Sequence, residues 1–467
     1  MEHVQSAKAA KFEKPLPIWR QQQTNSAERE MLLSRMLMSY AAAGMVFMLL
    51  PGTFLGVWNL MFISSRHAPG SMPAGWIQAH GHAQVFGWIG TFILGIGFYS
   101  IPKLRKAAPT PMIMPWICLA LWILGVATRW AVGAYEWNWR LLLPVSAVLE
   151  LAAFLIFFVS VSGHRPQTHG REPEDASAGK RAKSKPDISQ HAWIVAVIAG
   201  SIGLLAALVL NLIECSDLAL RGASPAFPSQ FDAGFLALCT WGFLVPFVWG
   251  FTSKWMPAFL GLKPSHPWLL ITALALDSIG VAASLAGKAQ AAGSLLLAGA
   301  GLALVALRLF EPTQHSPKTR GVSRGFPSFV RLAFIWSVLA GILGVWGSLA
   351  PQSLGVAGAS RHALTVGFIA TMVFCVGPRI LPSFAGMRVL FSAGLMSATL
   401  VLLSAGCAVR VSSEIVAYQG YGQWGWDLLP VSAIIEMTAV TLFAINMAIT
   451  FLRGPVVQPI TASAQGK

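Results

Sequence analysis

Twelve apolar stretches constrain this chain more than any other feature. They run over residues 37–63, 82–102, 112–132, 140–162, 191–214, 231–253, 267–286, 289–310, 329–350, 362–381, 388–412 and 428–452. A bilayer core of ~30 Å takes about 20 residues of helix at a rise of roughly 1.5 Å each. Barrel strands are about half that length and alternate in polarity, which these stretches do not. Of the 467 residues, 55% are hydrophobic and only 11% charged. The expectation is an all-α polytopic membrane protein with twelve transmembrane helices.

A net charge of +15 would suit a nucleic-acid partner, but its distribution argues against one. With the N-terminus inside, the tails and cytoplasmic loops hold all but seven of the 33 Lys and Arg. Those seven are Arg66, Arg129, Arg140, Arg221, Lys288, Arg361 and Arg410. Such asymmetry is the positive-inside signature, so both termini are expected in the cytoplasm of a bacterial inner membrane. The first 33 residues are polar and basic where a cleavable signal needs an apolar core, and the first helix would serve as the insertion signal. Cys118, Cys215, Cys239, Cys375 and Cys407 form no close pair of the kind that binds zinc.

The chain repeats itself. His82-Ala-x-x-x-Gly87-x-Ile89-x-Thr91 recurs without a gap as His362-Ala-x-x-x-Gly367-x-Ile369-x-Thr371, and the register continues to Pro102 and Pro382. "GVATR" ending at Arg129 matches "GCAVR" ending at Arg410, and "LLPVSAVLE" ending at Glu150 matches "LLPVSAIIE" ending at Glu436. A worn third copy lies between them. Gly242 and Pro257 keep the spacing, but Ala237 replaces the His, Ser284 the Arg, and no Glu clearly follows. Self-similarity at this scale reads as repeated architecture. The expected organisation is a pseudo-threefold 4+4+4 bundle: unit 1 over 37–162, a degenerate unit 2 over 191–310 and unit 3 over 329–452. Tails at 1–36 and 453–467 flank it. Linkers at 163–190 and 311–328, rich in charge and small residues, are expected to be disordered.

Matched polar residues in apolar helices are the candidate site. His82 and His362 are expected to begin their helices near the outer face, where two units of a pseudo-symmetric bundle can point imidazoles at one haem iron; the bland alternative is an interfacial hydrogen bond. His80, two residues away, turns roughly 200° from His82 on an α-helix. It would bind copper or a haem edge if residues 79–81 are non-helical, and is otherwise a polar interfacial residue. Arg129 and Arg410 would meet haem propionates, or else snorkel or pair with Glu414 or Asp427. Glu150 and Glu436 lie deeper, where carboxylates mark proton routes or bond a neighbouring helix; Asp277 is a weaker case. Trp76, Trp130, Trp137, Trp139, Trp424 and Trp426 read as an interfacial aromatic belt.

The helix layout resembles the catalytic subunit of the haem-copper oxidase superfamily. "HGHAQVFG" and "HALTVGFIATM" more specifically resemble the NnrS family, twelve-helix haem and copper proteins tied to nitric oxide metabolism. Ala83 stands where that family usually has Glu. The oxidase resemblance implies that His82 and His362 match the low-spin haem ligands, that Ser360 occupies the place of the reactive-haem ligand, and that Arg410 is placed like an arginine that meets propionates. Helices 6 and 7, where the superfamily has its copper histidines, contain none, so a binuclear centre lacks its ligands and enzyme activity is left open.

The leading expectation is an NnrS-like protein with a b-type haem on His82 and His362, Arg129 and Arg410 at its propionates, and copper at His80. It would act in nitric oxide response or electron transfer, with a redox partner or a small gas such as nitric oxide or oxygen as ligand. The rivals are an oxidase or nitric oxide reductase subunit with unusual ligands such as Glu150 or Glu436, and a haem-free transporter or assembly factor.

Overall fold

The structure is a computed structural model that describes residues 18–105, 111–163, 191–350, 354–384, 386 and 389–453. Twelve of its helices are long and apolar enough to cross a membrane: α1 (Glu28–Arg66), α2 (Ala74–Arg105), α3 (Ile113–Tyr135), α4 (Trp139–Ser162), α5 (Ala192–Arg221), α6 (Ser229–Leu260), α7 (Pro267–Leu285), α8 (Ala289–Ala306), α9 (Phe326–Leu349), α10 (Gly355–Phe384), α11 (Ala393–Tyr418) and α12 (Trp424–Leu452). No strand occurs among the described residues.

The repeats fold alike. In each unit the third and fourth helices form the tightest pair: α3 with α4, α7 with α8, α11 with α12. Units meet through α4 against α5, α8 against α9, and α12 against α1, which closes the ring. The second helix of each unit fills the interior. Its apolar stretch is 78% buried in α2 and 72% in α6 and α10, against at most 50% in the other nine. A helix surrounded on all sides needs apolar residues all round, so each polar residue on it must find a partner on a neighbour.

Each of these inner helices carries a π-helical segment at one repeat position. The segments are Ala83–Gly90, Leu238–Leu244 and Ala363–Ala370, starting directly after His82, Ala237 and His362. A π turn inserts one residue and loosens the carbonyl ladder. The repeated motif supplies what the turn needs. Thr91 donates to the Gly87 carbonyl at 2.5 Å, Thr371 to that of Val366 at 3.1 Å, and the Trp122 indole to that of Phe86 at 3.0 Å. Gly87 and Gly367 let the preceding helix approach: a Cβ would lie 2.8 Å from Phe47 Cγ and 2.6 Å from Trp336 Cγ. A fourth π segment, Met48–Phe54, interrupts α1 around Pro51, whose missing N–H breaks the α ladder there.

Three boundaries differ from expectation. Helix α1 is helical from Ile18 rather than beginning near 37, and it is pinned by Glu30, which accepts from Tyr99 at 2.6 Å and Lys103 at 2.5 Å. The linker at 311–328 is not loose. Gln314 and Lys318 donate backbone N–H bonds to Gly261 and Phe259, and Val322 and Ser323 are buried. Composition suggested disorder, but this segment fits between α6, α10 and α11 and satisfies its backbone there. The other linker, 163–190, lies outside the described residues apart from Gly163. Finally, α2 starts at Ala74 and α10 before His362, so the histidines sit about two turns inside their helices. The entries Ala-Gly-Trp-Ile-Gln and Gly-Val-Ala-Gly-Ala, rich in small residues, extend the helices ahead of the histidines.

Close backbone approach yields a stability prediction. A Cβ at Gly203 on α5 would collide with the Gly242 backbone carbonyl of α6, whereas one at Gly301 on α8 meets nothing. Gly203→Ala should cost about 1–3 kcal/mol through overpacking. Gly301→Ala should be neutral or stabilising by up to about 1 kcal/mol. Thermal unfolding in one detergent would separate the two.

Candidate functional site

The matched polar residues gather in two clusters, one at the junction of units 1 and 2 and one around α10 and α11. In the first, the His82 Nε2–H donates to Glu150 Oε1 at 2.7 Å, and the ring stacks on Phe86 with centroids 4.6 Å apart. Both are buried, Glu150 completely. Asn211 of α5 approaches the other Glu150 oxygen at 3.4 Å. Gly125 makes room for the carboxylate, since a Cβ there would lie 2.8 Å from Glu150 Cγ.

Arg129 belongs to this first cluster, within electrostatic range of Cys215 and Asp232. It is 1% exposed. Its guanidinium lies over the Phe227 ring at 4.7 Å, and Nε and Nη1 have no hydrogen-bond partner. It pairs with no acid among the described residues.

The second cluster centres on His362. Its Nδ1–H donates to the Gly358 carbonyl at 3.1 Å, and Nδ1 lies 3.3 Å from Glu414 Oε2 in an ionic contact without a hydrogen bond. Arg410 approaches the same oxygen at 3.3 Å, an ionic contact without hydrogen-bond alignment. Glu414 is thus the acid partner expected as the alternative for Arg410. Gly358 is the only residue that fits here, because a Cβ would collide with Glu414 Oε1. Glu436 lies within electrostatic range of His362 and Arg410, and its buried Oε1 has no partner. Gly406 leaves space for it, as Gly125 does for Glu150: a Cβ would sit 2.7 Å from Glu436 Cγ. In the degenerate unit the matching Gly280 faces Leu296 at 2.9 Å, so Leu296 stands where the missing Glu would be.

His80 joins the second cluster, not the first. Helix α2 is continuous through residues 79–81, so the ~200° separation from His82 holds. The His80 Nδ1–H donates to the Gly52 carbonyl in the π segment of α1 at 2.8 Å, and Gly56 leaves room for the ring, with a Cβ 2.5 Å from Cε1. His362 and Arg410 lie within electrostatic range of His80. His80 and His362 thus lie within electrostatic range of each other, while the two histidines expected to face each other each have a carboxylate of their own unit beside them.

A copper ion at His80 required non-helical residues 79–81 and further donors. Neither is present: no group of three or more His, Cys, Asp or Glu able to hold a metal ion occurs among the described residues. A haem iron needs only two axial imidazoles, fewer donors than such a group. Sequence reasoning missed Asn211, Gly52 and Gly56. An Asn in the middle of an apolar helix was the visible signal for the first, and small residues flanking Pro51 for the others. Asp277, fully buried on α7, has neither carboxylate oxygen hydrogen-bonded.

Comparison with known proteins supports the fold. A solved structure described as a heme-copper terminal oxidase dimer matches with a TM-score of 0.51 and 14% sequence identity, covering 91% of this chain and 85% of the other. This is a similarity of fold. A family profile described as a domain of unknown function, DUF8744, matches residues 313–450, which spans α9–α11 and nearly all of α12. No curated protein matches.

The buried His82–Glu150 pair should be separable by stability. Truncation to Glu150→Ala leaves the imidazole N–H and the Asn211 amide without their acceptor, at about 1–3 kcal/mol. Glu150→Gln retains an acceptor oxygen and should cost less than half as much. Equal losses in the two melting curves would contradict the pairing.

Proposed function

We propose that the chain is a haem protein of the bacterial inner membrane, its basic end cytoplasmic, with a b-type haem between His80 and His362. The observation that carries this reading is the matched bonding of the two rings. Each spends its Nδ1–H on a backbone carbonyl and has no hydrogen bond at Nε2 among the described residues, leaving it as a lone-pair donor, the arrangement that fixes tautomer and aim in metal-bound imidazoles. His82 differs, since its Nε2 is committed to Glu150. It is therefore replaced by His80 as the axial partner expected from the sequence.

The surrounding residues suit that role. Glu414 lies at the Nδ1 side of His362 and would help to hold the ring's orientation. Arg410, whose buried Nη1 lacks a hydrogen bond, is available to a carboxylate such as a haem propionate. Arg129 lies in the other cluster and is not assigned that task. A haem so held supplies one-electron chemistry. Two imidazoles leave no position for a gas unless one is released, which favours electron transfer over direct turnover. The likeness of the two histidine motifs to the NnrS family supports reading such transfer as part of a nitric oxide response. Helices α6 and α7 contain no histidine, in keeping with a protein that lacks a second, oxygen-reducing metal pair.

Optical spectra of the purified protein and three variants test the assignment. His80→Ala and His362→Ala should each lose the low-spin bands, while His82→Ala should keep them, with haem stoichiometry within about 20% of the parent by the reasoning on ligand count. Loss in His82→Ala with retention in His80→Ala would restore the pairing expected from sequence. Absence of a Soret band from the parent protein, even after haem is added, would leave the haem-free transporter as the better reading.

A further inference from the structure

The linker at 311–328, ordered against expectation, builds a pocket at the basic end of the bundle. Residues 317–325, the last turns of α10 and the first turn of α11 enclose about 960 Å³. Lys318, Arg320, Arg324 and Arg379 line it, and no acid does. The nearby Glu311 is already paired with Arg308 at 2.7 Å.

The pocket is preformed. The backbone of Lys318 is tied to Phe259, the Ser323 and Ser397 hydroxyls share a hydrogen bond of 2.7 Å, and Arg379 donates to the Lys318 carbonyl while lying 4.3 Å over the Phe259 ring. Arg379 still has a buried Nε without a partner. The N–H groups of Ala393 and Gly394 open α11 and have no intrahelical acceptor; a Cβ at Gly394 would meet nothing closer than Ser392 Oγ at 3.6 Å. Four cations with no acid in the lining, three of them guanidinium forks of which Arg379 is anchored, form a receptor for tetrahedral oxyanions.

We propose that this pocket binds a phosphate-bearing anion. It lies where the apolar spans of α10 and α11 stop, the level at which lipid phosphates sit, and it is large enough for a phosphate and its substituent. The same chemistry would accept the phosphate of an anionic phospholipid or a soluble phosphate.

The test uses the full chain in nanodiscs of phosphatidylcholine, with and without phosphatidylglycerol, and titrated separately with inorganic phosphate. Binding is read by thermal shift and by lipid retention in native mass spectrometry. The double variant Arg320→Gln, Arg324→Gln removes two exposed pocket charges without touching the core. The control Arg35→Gln, Lys263→Gln removes two exposed charges elsewhere on the same end. Affinity should fall about tenfold or more in the pocket variant, the scale of one lost charge-assisted contact, and less than about twofold in the control. A response to phosphatidylglycerol alone would identify a lipid site, and a response to inorganic phosphate a soluble ligand. Equal losses in both variants, or no binding of either anion to the parent, would overturn the proposal.

Discussion

A polar side chain on a helix surrounded by apolar helices must find its partner across a helix interface, and much of this structure follows from that requirement. Water is absent from the bilayer core, so each unmet donor or acceptor costs several kcal/mol by rough transfer scales. The inner helices α2 and α10 carry histidines at matched positions, and each imidazole is met by a carboxylate from a helix of its own unit. The glycines of α3 and α11 exist to admit the acids of α4 and α12: Gly125 accommodates Glu150 and Gly406 accommodates Glu436.

The π segments apply the same logic to the backbone. A π turn loosens carbonyls inside an apolar interior, and the bundle meets them with threonine, tryptophan or histidine donors. That the segment survives in unit 2, where the histidine has become Ala237, separates its structural role from its chemical one. It fixes how three inner helices pack against their neighbours, and two of the three then carry imidazoles. The degenerate unit has shed the polar set together with its partners, Leu296 standing in the place of the acid. Asp277 is the exception, a buried carboxylate without a hydrogen bond.

Two clusters related by the repeat therefore differ in what they can do. Around His82 the ring, Glu150 and Asn211 are turned on one another, while Arg129 beside them keeps buried Nε and Nη1 without hydrogen-bond partners. Around His362 the polar atoms are left partly open. His80 and His362 have no hydrogen bond at Nε2 among the described residues, and Arg410 and Glu436 have buried atoms without partners. A buried polar atom left open inside a membrane protein is costly unless something fills it.

Much of this architecture was legible in the sequence. Segment length and hydropathy determined twelve helices, because a bilayer permits little else, and the repeated motifs determined that units 1 and 3 would fold alike around matched His, Arg and Glu. What sequence could not decide was which ring faces which neighbour. His80 and His82 are two letters apart, and only the start of α2 at Ala74 sets them on opposite faces, one toward Gly52 and the other toward Glu150. Nor did composition reveal that residues 311–328 would be ordered, since their order comes from carbonyls and ridges on α6, α10 and α11 that are distant in the chain. Sequence determined which polar groups enter the bundle; tertiary structure decided how they pair, because pairing depends on helix rotation and on contacts between segments far apart in the chain.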